Sequence, residues 1–198
     1  MIRESTVKRK TSEVEVYTKI NIDGEGKYKI DTGIPFFNHM LEQLAKHGLF
    51  DIEISAKGDT EIDFHHTVED VGIALGEAFS QALGDKKGIK RYGFSSIPFD
   101  ETLSSSSLDL SGRPFFIFKV DMPSTKVGDF DVELTREFFQ SFTNNIKANI
   151  HIETKYGTNN HHIIESIFKS IAKSLDLATT YDPRSKTIPS TKGNLWFL

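Results

Sequence analysis

The sequence predicts an internally duplicated α/β (α+β) unit, on three observations. The first is a repeated signature, His-His-x-x-Glu, at His65, His66, Glu69 and again at His161, His162, Glu165. The second is that the match extends upstream. Phe50–Ile54 and Ala148–Ile152 precede the two histidine pairs, each segment is followed by a glycine (Gly58, Gly157), and NHMLEQL with His39 and REFFQSF with Glu137 stand before them. The third is the order of patterns, since each half reads strands, helix, strand, helix. His39 to His66 spans 27 positions and Glu137 to His162 spans 25, so the second copy is two residues shorter. A repeat of this kind takes precedence over readings of single segments. No linker separates the halves. Residues 1–198 therefore read as a single domain of two repeats, about 1–92 and 93–180, with a C-terminal tail 181–198.

The elements follow in order. Residues 2–10 and 13–22 alternate as strands do, with Val14, Val16, Ile20 and Ile22 on recurring positions. Asp23-Gly24-Glu25-Gly26 reads as a hairpin turn, with Tyr28–Ile30 as a short return strand. A helix runs from about Phe36 to Lys46 and stops at Gly48, a C-terminal cap. Residues 50–57 form a strand, the loop 58–64 follows, and a helix of about 66–83 ends at Gly84. The serine run Ser104–Ser107 reads as a strand, because Leu103, Leu108 and Leu110 flank it at strand spacing, and Phe115–Val120 is its partner. Residues 121–133 read as a loop with Pro123 and Gly128. The helix of about 134–147, the strand 149–155 and the helix 162–178 repeat the first half, and an irregular tail closes the chain.

Composition narrows the function. The 198 residues carry a formal charge of −4, which argues against nucleic acid as a general partner. There is no cysteine, which excludes disulfides, a thiolate zinc site and a cysteine nucleophile. That absence fits a reducing cytoplasm. The N-terminal segment is charged and lacks the apolar core of a signal peptide, and no apolar run is long enough to span a membrane.

The repeated signature carries chemistry. Residues four apart on a helix share a face, so His65 with Glu69, and His161 with Glu165, can point at one place. The neighbouring His66 and His162 lie about 100° further round the helix and point elsewhere. Imidazole and carboxylate on one face are metal-ligand chemistry; a solvated helix start is the ordinary alternative. Neither helix alone surrounds a metal. If the copies face each other about a pseudo-twofold axis, His65 and Glu69 are completed by His162 and Glu137, and His161 and Glu165 by His66 and His39. The symmetry thus predicts two metals, each with four protein ligands and open positions. Such a donor set suits Mn²⁺, though Fe, Co or Zn enter similar sites.

Arg9–Glu13 (RKTSE), Phe36–Leu44 (FFNHMLEQL), His65–Gly72, Arg91–Gly93, Asp100–Leu103, Ser111–Pro114, Asn160–Lys169 and Pro189–Gly193, in this order over nearly the whole chain, resemble the imidazoleglycerol-phosphate dehydratases. The resemblance implies two four-stranded sheets packed around four helices. It implies a hydro-lyase of histidine biosynthesis that converts imidazole glycerol phosphate to imidazole acetol phosphate with two Mn²⁺ per active site. It also implies a cytoplasmic homo-oligomer of about 24 subunits with sites at subunit contacts. One departure stands out: many members carry histidine where this chain has Glu137, a carboxylate that is still a competent hard ligand.

By the same resemblance Glu13 is the general acid–base group, although alone it reads as an exposed strand residue. Arg91, Arg113, Lys169 and Lys192, with Ser190 and Thr191, correspond to a phosphate clamp, and Gln43 and His47 to substrate-side positions. His151, in mid-strand, reads as structural. The chemistry must remove a weakly acidic C–H proton and expel hydroxide as water. With a metal on each ring nitrogen, the imidazole can become imidazolate and push out the hydroxyl. Two other readings compete. A dinuclear hydrolase usually needs an aspartate bridge, for which only Asp70 offers itself. The alternative is a metal staple that merely assembles subunits.

Overall fold

The computed structural model describes residues 3–195. Ile2, where the first strand was expected to begin, and the end of the tail, Trp196–Leu198, lie outside the described residues. The first half comprises β1 (Glu4–Lys10), β2 (Val14–Asn21), β3 (Tyr28–Asp31), α1 (Pro35–Gly48), β4 (Asp51–Gly58) and α2 (His65–Leu83). The second comprises β5 (Tyr92–Phe99), β6 (Thr102–Asp109), β7 (Phe115–Lys119), a short β8 (Lys126–Val127) and β9 (Phe130–Asp131), α3 (Leu134–Ile146), β10 (Asn149–Tyr156) and α4 (Asn160–Thr179).

The two large sheets have the same construction. Their strand orders are β1-β2-β4-β3 and β5-β6-β10-β7. In each, the first two pairings are antiparallel and the last is parallel. Strand alternation sets which face turns inward: Val14, Val16, Thr18 and Ile20 of β2 are buried, and so are Ile150 and Ile152 of β10. The four helices lie against these inner faces, α2 on β1 and β2, α4 on β5 and β6. They pair crosswise. α1 of the first half packs along α4 of the second, and α3 of the second along α2 of the first.

A phenylalanine seam ties the crossing together. Phe138 and Phe139 of α3 pack on Phe168 of α4 with ring centroids 5.4 and 4.8 Å apart, Phe37 of α1 meets Phe138 at 5.3 Å, and Phe79 of α2 meets Phe142 at 5.6 Å. Each of these rings is essentially fully buried, worth about 1.5–3 kcal/mol apiece by the usual area scale. A second, polar seam joins α4 to β6. The Ser166 hydroxyl donates to Ser104 Oγ at 2.7 Å, Ser106 and Ser174 hydroxyls are 2.7 Å apart, and all four are buried. The serine run is thus a strand because its inward members are small enough to admit a helix and are hydrogen-bonded when they do.

Several sequence expectations change. Asp23–Gly26 does not fold β3 back on β2: β3 pairs with β4 in parallel. β7 likewise pairs with β10, not with the serine strand. Both crossovers pass through a helix, as parallel pairing requires. β5 was not foreseen, because Gly93 and Pro98 interrupt its pattern; as an edge strand it tolerates proline, and a Cβ at Gly93 would run into the Ser174 carbonyl. Gly48 does not cap α1. The left-handed residue is Leu49 (φ 58°), while a Cβ on Gly48 would strike the Phe50 ring. The expected loop 121–133 contains the β8–β9 hairpin.

The α2–α3 crossing generates a stability prediction whose sign opposes helix propensity. A Cβ at Gly76 would lie 2.6 Å from the Phe142 carbonyl oxygen and 2.9 Å from Asn145 Cβ. Alanine gains about 1 kcal/mol over glycine within a helix, but overpacking against backbone costs about 1–3 kcal/mol or more. Gly76→Ala is expected to lower stability to chemical denaturation by about 1 kcal/mol or more; a stabilised variant would show that the helices can part.

Candidate active site

α4 begins at a built cap. The Asn159 side chain accepts from the His161 backbone N–H at 2.9 Å, which fixes the first turn and aims His161 down the helix toward Glu165. His161 Nε2 lies 3.1 Å from Glu165 Oε2. α1, packed alongside, brings His39 Nε2 to 3.3 Å from the same oxygen. The ligand atoms of His39, His161 and Glu165 all fall within 4.8 Å of one another, the one such convergence of three among the described residues. The other carboxylate oxygen, Oε1, takes Lys169 Nζ at 2.7 Å. Burial by itself would raise the Glu165 carboxyl, but hydrogen bonds from Lys169 and His161, with the charge of His39, hold it below the usual range. Glu165 is buried while both imidazoles remain partly open to solvent. An anionic oxygen between two imidazole nitrogens, open on one side, is a donor set for a hard or borderline divalent ion.

Around His39 runs a chain on one face of α1. Gln43 Nε2 is 3.5 Å from His39 Nδ1, and His47 Nε2 is 3.2 Å from Gln43 Oε1. Desolvation, then the nearby charges of Lys169 and Lys173, push the His47 imidazole below its ordinary value. The structure therefore brings Gln43, His47 and Lys169 to the ligand cluster.

The other expected ligands lie elsewhere. His66 does not join His161 and Glu165: its Nδ1 sits 3.0 Å from Asp59 and 3.9 Å from Glu13. His162 does not join His65 and Glu69: its Nδ1 is 2.7 Å from Glu101. Each lone histidine thus faces the hairpin end of its own half. The Asp59 hydrogen bond raises the His66 imidazole, and the His162 hydrogen bond, reinforced by the N–H groups of Asn159 and Thr158, holds Glu101 at about 2. Glu137 is paired with Arg136 at 3.2 Å, and Asp70 with Arg9 at 2.9 Å. His65 is placed by its backbone N–H on Asp63 Oδ1 at 2.7 Å, and no convergence of His65, Glu69 and Glu137 accompanies it among the described residues. Glu13 stands in the β1–β2 turn, not in the strand, where its N–H is held by Thr11 Oγ1 at 3.1 Å. Glu15 is engaged separately by Lys10 at 2.8 Å. His151 is exposed on the outer face of the second sheet, opposite Ile117 and Ser107.

A cavity of about 590 Å³, apart from that cluster, gathers Arg91, Arg113, Ser190, Thr191 and Lys192. Of the expected clamp only Lys169 is missing; it lies by Glu165 and over the Phe99 ring at 4.1 Å. The cavity concentrates cations and hydroxyls, the chemistry of an anion site. Three residues now seen to matter, Asp59, Glu101 and Asp109, were not singled out in the sequence. Glu101 and Asp109 act on partners 61 and 18 positions away, beyond any local pattern, whereas Asp59 stands only seven positions before His66.

The ion-paired carboxylate gives a pH prediction. In metal-free protein, Glu165→Gln should lower stability by about 3 kcal/mol near neutral pH, because it leaves the Lys169 ammonium without its buried partner. Glu165 is depressed in the folded state, so its contribution is complete above the unfolded value of about 4.3 and is lost as pH falls through the folded value. The gap between wild type and variant should therefore narrow on acidification. A gap that widens in acid would contradict the pairing.

Comparison with known proteins places these features. The sequence model of the family described as imidazoleglycerol-phosphate dehydratase matches residues 32–175. Curated relatives named imidazoleglycerol-phosphate dehydratase include one from Pelobacter propionicus, 55% identical over 98% of this chain and 100% of its own, and one from Trichlorobacter lovleyi, 56% identical with the same coverage. Among solved structures, the imidazoleglycerol-phosphate dehydratase of Staphylococcus aureus aligns with a TM-score of 0.82 and 37% identity over 90% of this chain and 99% of its own. A Pyrococcus furiosus enzyme, solved in complex with (S)-C348, aligns with a TM-score of 0.81 and 33% identity over 96% of this chain and 100% of its own. No helix of the described residues is long and apolar enough to cross a membrane. With matching sheets, matching helices and this extent of identity, the chain belongs to the imidazoleglycerol-phosphate dehydratase family and is a hydro-lyase.

Proposed function

We propose that the chain dehydrates imidazole glycerol phosphate to imidazole acetol phosphate, a step of histidine biosynthesis, as a cytoplasmic homo-oligomer of about 24 subunits. The convergence of His39, His161 and Glu165 carries the reading. Two imidazoles and a carboxylate without thiolate fit manganese. On this reading these three hold one Mn²⁺ and His65, Glu69 and Glu137 contribute to a second, while His66 and His162, turned away from both within the chain, complete the sites of neighbouring subunits. Bound there, Mn²⁺ would supply Lewis acidity toward the substrate imidazole.

The chain's own residues do the rest. Glu165, held by Lys169 on one oxygen, orients the two histidines with the other. Arg113 and Lys192, with the hydroxyls of Ser190 and Thr191, hold the phosphate and so fix where the reacting carbons lie. Glu13, half-exposed beside His66, accepts the proton as the C–H bond breaks and returns one to the departing hydroxyl. The C–O bond breaks, water leaves, and the enol tautomerises to the ketone. The hydrolase alternative loses its aspartate, since Asp70 is buried against Arg9.

The test is water loss from imidazole glycerol phosphate by purified protein supplied with Mn²⁺. Glu13→Gln should bind metal and substrate nearly as wild type does and turn over about 10²–10⁴ times more slowly. Glu15→Gln, its carboxylate engaged by Lys10, is the control and should retain turnover. Wild-type turnover by Glu13→Gln would move the proton transfer to another group.

A further inference from the structure

Behind the anion cleft stands a carboxylate that no phosphate contact asks for. Asp109, the last residue of β6, takes Arg91 in a two-pronged pair, Nε to Oδ1 at 2.7 Å and Nη2 to Oδ2 at 3.0 Å. The third contact of the guanidinium is Nη1 donating to the Pro189 carbonyl at 2.7 Å. Arg91 is itself fixed at the backbone. Its φ of 72° lies in the left-handed region, its N–H donates to the Ala178 carbonyl at 2.9 Å, and its own carbonyl accepts from Leu110 at 3.1 Å. The Tyr92 ring lies 4.8 Å from the guanidinium carbon. Asp109 is held in turn, for buried Lys86 donates to the carbonyl of the next residue, Leu110, at 3.2 Å.

These contacts end where the clamp begins. The tail is tethered to the body by the Gly88 N–H on the Thr187 carbonyl and then by Arg91 on Pro189. Beyond Pro189, among the described residues, the hydrogen bonds of Ser190, Lys192 and Gly193 run back to Ile188 and Ser190, inside the segment itself. Among the described residues, the segment that brings Ser190, Thr191 and Lys192 to the cleft is therefore hydrogen-bonded to the body at its start through one arginine, whose plane is set by one aspartate, while buried Leu195 packs at its far end. A guanidinium has five N–H donors in a rigid plane. Three are used here, and the two that remain, one on each terminal nitrogen, have their direction fixed by the same pair.

We propose that Asp109 is a positioning residue for anion binding: it sets the plane of Arg91, and through the Arg91–Pro189 contact it holds the Ser190–Lys192 segment as a wall of the cleft. The proposal rests on the reading of this cleft as the phosphate site. Its ligand class is a small phosphate monoester.

The experiment uses the full-length enzyme with its metal. It reads KM for the phosphate-bearing substrate, kcat at saturation, and competitive inhibition by inorganic phosphate. Asp109→Asn is nearly isosteric but presents a donor to a donor. KM and the phosphate inhibition constant should both rise about tenfold or more, with kcat within about twofold, since ground-state and transition-state binding of the phosphate fall together. Arg91→Lys keeps the charge and loses the fork, so it should give the same pattern. The double variant should be no worse than either single one, because one interaction is lost only once. Unchanged KM and inhibition in Asp109→Asn, while Arg113→Ala weakens both, would overturn the positioning role, as would losses that add in the double variant. If Asp109→Asn does not fold, Arg91→Lys decides alone, and an unaltered KM there overturns the role. Arg113→Ala and Lys192→Ala both without effect on phosphate inhibition would instead sink the phosphate reading of the cleft.

Discussion

The crosswise pairing of helices is the constraint from which the rest follows. Had each half packed its own two helices together, His39 would lie against α2. Instead α1 lies along α4, and His39, 126 positions from Glu165 in sequence, reaches within 3.3 Å of it. The phenylalanine seam enforces this, because Phe138 touches rings from α1 and α4 as well as its own helix. On the α2–α3 side the same closeness is reached differently. Gly72 and Gly76 remove side chains where α3 backbone passes, and Phe79 and Phe142 pack beyond them. Close packing of this kind transmits small volume changes, so the position of the ligand cluster depends on residues that never touch it.

Within that frame Glu165 is the centre of the local electrostatics. It faces two histidines with one oxygen and a lysine with the other. A buried carboxylate without partners would protonate. Here the partners more than offset desolvation, and the group stays anionic. The cations of the second cleft are handled in the opposite way. Arg91 is partly neutralised by Asp109, whereas Arg113 and Lys192 line the cavity with no carboxylate paired to them among the described residues.

Much of this was legible in the sequence, and the limits have physical causes. The duplication was visible because a motif and its flanking strand and helix recur together. Helices α2 and α4 were placed to within two residues because long, periodic apolar faces are strong signals. Strand pairing was misjudged for β3 and β7, since a glycine-bearing turn reads as a hairpin whether or not the chain then crosses over a helix. β5 escaped because an edge strand need not exclude proline. At the site, the i, i+4 pairing of His161 with Glu165 was a local inference, and the two side chains lie 3.1 Å apart. Symmetry joined both His39 and His66 to that pair; His39 comes within 3.3 Å of Glu165, whereas His66 lies on Asp59. The partners of His66 and His162 could not be deduced, because Glu101 and Asp59 are set by how hairpin ends meet helix starts. Glu13 was assigned to a strand from alternation alone, yet Thr11 draws its backbone into a turn.

The two copies differ in a way that bears on how a divalent ion would be held. One turn beyond the carboxylate, α4 carries Lys169 and α2 carries Ile73. In the facing helix, α1 presents the imidazole of His39 while α3 presents the carboxylate residue Glu137 at the corresponding place of the repeat. In the first cluster the carboxylate therefore meets two imidazole nitrogens and a lysine ammonium. In the second, Glu69 and Glu137 carry the same sign, and Glu137 turns to Arg136. The duplication has thus produced one half-site whose side chains converge and another whose second carboxylate is taken up by the neighbouring arginine.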